Sequence, residues 1–489
     1  MAKLVKKEVV DEIKDAKCFT ILADETSTHS KEFLSICIRY VNKKFQIKEA
    51  FVGFWHISST TGEALSDYIL NILLEYGIDG KKMVAQGYDG ASNMSGHING
   101  TRAKIQKIYP QAEYYHCVNH KLNLSMEDVN ENIVMKRAMQ KFHDITVYLK
   151  SPHRASILSD QCENHKILKS KVPLFCQTRW VERHSSILAF KELIPAIADT
   201  LQIIAGEKGD PDVLNHLDFL YSAEAIFTLN LAVKVSAILK RLSAALQKTD
   251  LELISAYSCI EVVKAQLINF IEDEEVFEKL YKNAEKQCEE LQIEINYPRS
   301  QRRRNQRSYK DFLKEDVFKD YINGLIKELN TRFGEKQQAA FSLQLLIPAN
   351  HEKLQYENIN KSVELYKYFL PDYDTVEEEI DAWKNYCNSL DVPTNSLQTA
   401  LNQFDATTSV VFSNVLILLV ILATIPVTTA TVERSFSLLD SIFTDLRASM
   451  TSERLSFLSV LAYYVEETAN LSSDKIIDKF MEKNRRSKF

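Results

Sequence analysis

Apolar and polar positions alternate in short runs from position 18 to about position 120 and then give way to helical spacing. CFTILADE, FLSICIRYVN, IKEAFVGFWH, MVAQGYDG and AEYYHCVNH have the two-residue period and the β-branched and aromatic content of strands. Between the third and fourth, TGEALSDYILNILLEYG repeats Leu65, Ile69, Ile72 and Leu73 at helical spacing and stops at Gly77. Three strands, a helix and two further strands predict a mixed α/β sheet. From 122 to about 400 the period is helical, and only 10 prolines and 12 glycines interrupt the whole chain. A long helical block therefore follows the sheet, with joints expected at 173–180, 206–212 and 298–307.

Residues 410–427, VVFSNVLILLVILATIPV, are almost wholly apolar and about long enough for a short membrane crossing. Ser413, Asn414 and Pro426 interrupt the run, and it leads directly into a polar helix. The expectation is a helix hidden in the fold or an interface, since aliphatic exposure on this scale is not tolerated by a soluble monomer; no membrane partner is expected. The next segment, TTATVERSFSLLDSIFTDLR, predicts a helix starting after Pro426 and capped by Thr428 or Thr429. Its apolar stripe is Val432, Phe436, Leu439 and Phe443, with Glu433, Ser437, Asp440 and Thr444 on another face.

Composition narrows the class without naming a partner. A chain of 489 residues with 45% hydrophobic content can bury a sizeable core. With Lys+Arg 60 against Asp+Glu 66 the net charge is −6, so nucleic acid must be met by a local basic patch. The run PRSQRRRNQR supplies one, with Arg299, Arg302, Arg303, Arg304 and Arg307. It reads equally as a phosphate grip and as a solvated loop or nuclear localisation signal. The eight cysteines form no CxxC pair, which fits reduced thiols. The N-terminal stretch is charged and lacks the apolar core of a secretory signal.

Two carboxylates stand where strand ends would present them at a sheet rim: Asp24 in ILADETS and Asp89 in AQGYDGASN. Aspartates on neighbouring strands can share a hard Mg²⁺ or Mn²⁺ ion, and a pair of such ions held by three carboxylates can activate a water or a 3′-hydroxyl and stabilise the leaving oxygen of a phosphodiester. Aspartate also commonly starts turns after strands, so spacing alone leaves both readings open. Glu433 is a candidate third carboxylate, although periodicity alone favours a solvated polar face. Cys117 and His120, in HCVNH, supply too few ligands for a structural zinc, and none is expected.

ILADETST with LSICIRYV, QGYDGASNMSG, YYHCVNHKLNLS, CQTRWVERHSSILAF and IPVTTATVERSFSLLDSIFTDLRASMTSERL together resemble the hAT transposases, in order, over residues 18 to 465. The branch they resemble carries a TTF- or MYM-type zinc finger and a domain of unknown function. The resemblance implies an RNase H-like mixed sheet interrupted by a large all-helical insertion, with a helical C-terminal dimerisation region. The corresponding division is a lead-in at 1–17, the first part of the core at 18–185, the insertion at 186–396 and the dimerisation region with the last catalytic helix at 397–489.

It also implies an Asp24, Asp89, Glu433 triad holding two Mg²⁺ or Mn²⁺ ions, strand cleavage by water, hairpin formation on flanking DNA and transfer of a 3′-hydroxyl. His120 would take a polar role at the site, contacting DNA or orienting a carboxylate. Trp180 would stack on a flipped base, worth about 1 to 3 kcal/mol, while Arg179 meets a phosphate. Arg302, Arg303 and Arg304 would contact DNA, and Leu416, Leu419 and Phe436 would serve dimerisation. The expected partners are DNA and a second copy of the chain, with no small-molecule substrate, in the nucleus. An N-terminal zinc-binding DNA module, usual in the family, is not expected in the short stretch before Asp24, as in a truncated copy, a fragment or a domesticated protein. This departure keeps open an alternative: a catalytically silent, transposase-derived nuclear protein acting through dimerisation and through protein or non-specific DNA contacts.

Overall fold

The alternating runs of the first 120 residues become one sheet and the helices that cover it. The computed structural model describes residues 1–122, 132–169, 180–208, 211–247, 253–295, 307–333, 339–390, 394–447 and 449–481. Helix α1 (Ala2–Asp15) precedes strands β1 (Phe19–Thr28), β2 (Lys31–Val41) and β3 (Ile47–Ile57). Then come α2 (Gly62–Glu75), β4 (Met83–Tyr88), α3 (Thr101–Ile108) and β5 (Glu113–His116). The sheet order is β3-β2-β1-β4-β5. β2 is antiparallel to both of its neighbours, whereas β4 is parallel to β1 and to β5. The tight β1–β2 connection uses His29 and Ser30 at φ of 48° and 58°, the left-handed pair that matches a hairpin's twist.

Side-chain alternation gives the sheet two apolar faces. Phe19, Ile21 and Ala23 of β1 join Leu34, Ile36 and Ile38 of β2 against Ile13 of α1 and Leu65, Ile69 and Leu73 of α2. On the other face Leu22, Phe33, Cys37 and Phe51 meet Val432, Leu439, Phe443, Leu455 and Val460. Those partners belong to the C-terminal segment, which forms α4 (Ser413–Thr424), α5 (Ala430–Ile442) and α6 (Ser452–Tyr463). The aliphatic run is therefore spent inside the fold: Val415, Leu418, Leu419 and Ile421 of α4 are fully buried, while Val410 and Val411 before it stay exposed. Among the described residues no single helix is long and apolar enough to cross a membrane.

A buried ion pair fastens these helices to the sheet. Arg39 and Glu49 are cross-strand partners on β2 and β3, 2.7 Å apart, with side chains only 2% and 8% exposed. Arg39 Nε also donates to the Ala423 carbonyl near the end of α4, at 3.0 Å. The Thr431 hydroxyl at the start of α5 donates to the second oxygen of Glu49. Two charges removed from water are thus satisfied by the two helices that pack over them.

Chain contacts define two compact units, one of residues 1–120, 247–256 and 336–489 and one of residues 121–246 and 257–335. Residues 121–185 group with the helical unit, where Arg137 of the helix Ile133–Tyr148 pairs with Glu224 of the helix Ala223–Leu246. Residues 336–396 group with the sheet unit, because Glu379 of the helix Val376–Asn388 accepts from the Asn414 side chain and the Val415 backbone, both at 2.8 Å, at the start of α4. The helical unit is built around Ala223–Leu246, against which Trp180–Lys208 and Glu274–Glu290 pack.

The fifth strand is shorter than expected. It ends at His116, and the chain from 118 to 122 is helical. The Cys117 N–H still donates to the Tyr88 carbonyl at 3.1 Å, but the next amide, of Val118, donates to Val427 at 3.0 Å. The ladder is handed from β4 to the C-terminal segment, which ends the strand.

The ion pair yields the first expectation. Arg39→Met leaves Glu49 as a buried uncompensated charge and should cost roughly 3–5 kcal/mol in urea unfolding. Adding Glu49→Leu should recover most of that loss. A single variant within about 1 kcal/mol of the parent, the range of an exposed pair, would show that the pair does not hold the helices down.

Candidate active site

Only Asp89 stands at a strand end, directly after β4; Asp24, expected at one, lies mid-strand, because β1 runs on to Thr28 in its hairpin with β2. In the parallel β1–β4 pair Leu22 is opposite Gly87, and two residues further along each chain come Asp24 and Asp89. Alternation puts Asp24 on the same face as Leu22, the face that α5 covers. Across the antiparallel ladder Asp24 pairs with Ser35, whose hydroxyl lies 2.7 Å from that of Ser435 in a buried contact. Ser435 is on α5, two residues after Glu433. A residue more than 400 positions from Asp24 is brought to it by this packing.

Like charge is the result. Desolvation pushes the Asp24 carboxyl well above the usual carboxylate range, and the charges of Asp89, Glu433 and Glu25 push it further. The Glu25 backbone N–H, donating to Asp24 Oδ1 at 2.8 Å, works the other way. Asp89 is held by its own turn: its Oδ1 accepts from the Ala91 amide at 3.1 Å and its carbonyl from the Tyr114 hydroxyl at 2.7 Å.

Sequence reasoning passed over Glu25, although it adjoins Asp24 in ADET. Its Oε1 accepts from Asn93 Nδ2 at 2.7 Å, and the same nitrogen donates to the Thr60 carbonyl at 2.9 Å. Desolvation and the charge of Asp89 raise the Glu25 carboxyl to about 7. Glu25 and Asn93 both lie in the motifs that had drawn notice to Asp24 and Asp89, and that was the available signal.

The HCVNH segment anchors the start of α5. Thr429 N–H donates to Cys117 Sγ at 3.4 Å, and burial together with the charge of Glu433 pushes that thiol up to about 11. Thr429 occupies the cap position without a side-chain capping bond; instead the Thr428 hydroxyl accepts from the Ala430 amide at 3.3 Å. The rings of His116 and His120 lie 5.3 Å apart beside Gly90, where an added Cβ would stand 2.7 Å from His116 Cε1 and 3.3 Å from His120 Cδ2. His120 therefore borders the turn that carries Asp89.

The remaining expected residues fare differently. Arg179, Arg302, Arg303 and Arg304 lie outside the described residues. Trp180 opens the helix Trp180–Lys208, and its side chain too lies outside them. Leu419 is fully buried within its own chain by the packing of α4. Leu416 is half-buried, and Phe436 packs, half-buried, on the core formed by Val432 and Leu439.

For a divalent metal the donor chemistry is right, since four carboxylates offer the hard oxygen ligands that Mg²⁺ and Mn²⁺ prefer. The gathering is not: among the described residues no three His, Cys, Asp or Glu side chains stand close enough together to hold an ion. The edge is an acidic cluster rather than a preformed metal centre.

Glu25 gives this cluster a pH signature. Its value of about 7 in the fold exceeds the ordinary 4.5, so between these values the folded chain binds more protons than the unfolded one. Its stabilising contribution is complete below the ordinary value and is lost as pH rises through about 7. Glu25→Gln, which keeps the acceptor for Asn93, should raise the melting temperature at about pH 8 and leave it nearly unchanged at about pH 5. An equal change at both pH values would place the effect outside this titration.

Residues 1–100 match the family described as DUF4371, ZMYM1/FAM200, RNase-like domain. The chain is also similar to the "52 kDa repressor of the inhibitor of the protein kinase" of Mus musculus, 23% identical over 483 residues, and to the protein of the same name in Homo sapiens, 22% identical over 482 residues. Each similarity covers 94% of this chain and 63% of the relative. The chain thus spans somewhat less than two thirds of the length of these curated relatives.

Proposed function

We propose that this chain is the body of a transposase-derived regulatory protein that acts in the nucleus through protein contacts and DNA affinity, without strand transfer. In this reading the sheet is an RNase H-like core, the helical unit is its insertion and the C-terminal helices belong to a hAT-type dimerisation region serving a homodimer. The observation that carries the proposal is the extent of the similarity to proteins named as repressors. It runs over 94% of the chain, and so through the sheet, the helical block and the C-terminal helices alike. The acidic edge is compatible with this role. Desolvation and like charge drive Asp24 toward its neutral form, and a scaffold asks no chemistry of it.

Metal-dependent strand cleavage is the second reading. One observation favours it: Asp89 and Glu433 both bear on the ionisation of Asp24, and these are the three carboxylates that the transposase resemblance assigns to catalysis.

The two readings part in one assay. The purified chain is incubated with supercoiled plasmid and with short hairpin DNA in the presence of Mn²⁺, beside Asp89→Ala and Glu433→Ala. The regulatory reading expects no nicking or strand transfer from any of the three. It also expects the chain, fused to a heterologous DNA-binding domain, to lower expression of a reporter, with both variants as effective as the parent. Metal-dependent activity in the parent that both variants lose would overturn it in favour of the enzyme.

A further inference from the structure

A cavity of about 750 Å³ lies beside β3, the end strand of the sheet, where α1, the end of α2 and the start of α6 come together. It shares no residue with the acidic edge. β3 shapes it through a register shift: Ile36 pairs with Gly53 and Cys37 with Phe51, which leaves Val52 as the extra residue of a bulge. Gly53 adopts a φ of 148°, and a Cβ there would stand 2.7 Å from Ser456 Oγ. Glycine at this point lets α6 close on the edge strand. Past the bulge, Phe54 points to the face of the C-terminal helices and Trp55 to the opposite face. The cavity therefore wraps the strand's free edge with an aromatic wall, which Tyr76 and Phe457 extend.

Charge enters from α1. Lys3, Lys6, Lys7 and Lys14 of that helix line the cavity. Lys6 Nζ lies 5.0 Å from the ring centre of Trp55 and 4.5 Å from that of Tyr76. Burial lowers its amine to about 8 even though Glu75 pulls in the other direction. An ammonium taken out of water to this extent gains from any anion brought beside it. Lys3 already has a carboxylate, Glu453, at 4.0 Å. With Asp11 also present, three carboxylates stand against four amines. The small positive excess suits one phosphate group and not a run of several.

We propose that this cavity binds a nucleoside monophosphate, with the phosphate on the α1 lysines, Lys6 foremost, and the flat ring against the aromatic wall. The ligand class follows from the combination of ring faces with a single unit of surplus positive charge. The size agrees, since small-molecule sites commonly enclose about 300–1,000 Å³. The transposase resemblance implied no small-molecule substrate, and the lysines and aromatic residues here come from four separate elements and share no motif.

The test is calorimetric titration of the full chain with adenosine monophosphate, adenosine and inorganic phosphate. Lys6→Met and Lys7→Glu are compared with the parent, and thermal melts establish that each is folded. Lys6→Met keeps the packing of the stem while removing the amine. Saturable binding of the monophosphate is expected, tighter than either fragment. Lys6→Met should weaken it about tenfold, as for the loss of one charge-assisted hydrogen bond, and Lys7→Glu should weaken it as well. The proposal fails if the parent does not bind the monophosphate at millimolar concentration, or if both folded variants bind it as the parent does.

Discussion

The Arg39–Glu49 pair is the contact on which the arrangement of the sheet unit turns. It is formed within the hairpin of β2 and β3, yet its remaining hydrogen-bonding capacity is used by Ala423 at the end of α4 and Thr431 at the start of α5. Buried ion pairs gain little net stability over an apolar replacement. They are, however, intolerant of displacement, because a shift that breaks one bond leaves a charge in the core. Apolar packing of Val432 and Leu439 on the sheet would allow α5 to slide by a turn; the polar anchors at Thr431 and at Ser435, bonded to Ser35, do not. The place of Glu433 beside Asp24 follows from that intolerance.

This explains which parts of the molecule were legible in the sequence. β1 to β4 and α2 were readable because each buries a face through its own local period; Asp89 was readable as the residue after an apolar strand, whereas Asp24 lies mid-strand because the hairpin prolongs β1 to Thr28. The final helix was readable as a helix, but the direction of Glu433 was not. Periodicity assigns it to a polar face, and only the long-range contacts of Thr431 and Ser435 decide what that face meets. Leu419 was ambiguous for a related reason. An aliphatic helix that buries every side is written the same way whether a partner subunit or the chain's own sheet covers it, and here Arg39 brings the sheet. The unit boundaries were hidden because Glu379 joins its helix to the start of α4 through hydrogen bonds rather than a sequence pattern. Arg39 and Glu49 themselves escaped notice, since alternating strands normally place such residues in solvent.

The acidic edge shows the same dependence on distant packing, now with an unfavourable sign. Asp24, Glu25, Asp89 and Glu433 are near enough for their charges to oppose one another, and desolvation at Asp24 and Glu25 adds to the cost. A fold under selection for stability alone would have little reason to keep four carboxylates at the rim of one sheet. Local hydrogen bonds offset part of the penalty: the Glu25 amide to Asp24, Asn93 to Glu25 and the Ala91 amide to Asp89. These bonds also orient the carboxyl groups, so the cluster is held in place by its surroundings despite its internal repulsion.

What neutralises such a cluster decides what it does. A divalent cation would lower the carboxyl values and draw the oxygens inward, whereas protons leave them apart and make the edge a polar but uncharged seam between sheet and helix. Without a cation, Asp24 is driven toward its neutral form and Glu25 titrates at about 7. With protons in place, α5 is held to the sheet by the Arg39 network and the Ser35–Ser435 contact, without help from a metal. An edge that is structurally complete in this state can persist after strand-transfer chemistry is lost. That makes it compatible with a chain whose work is done by its surfaces.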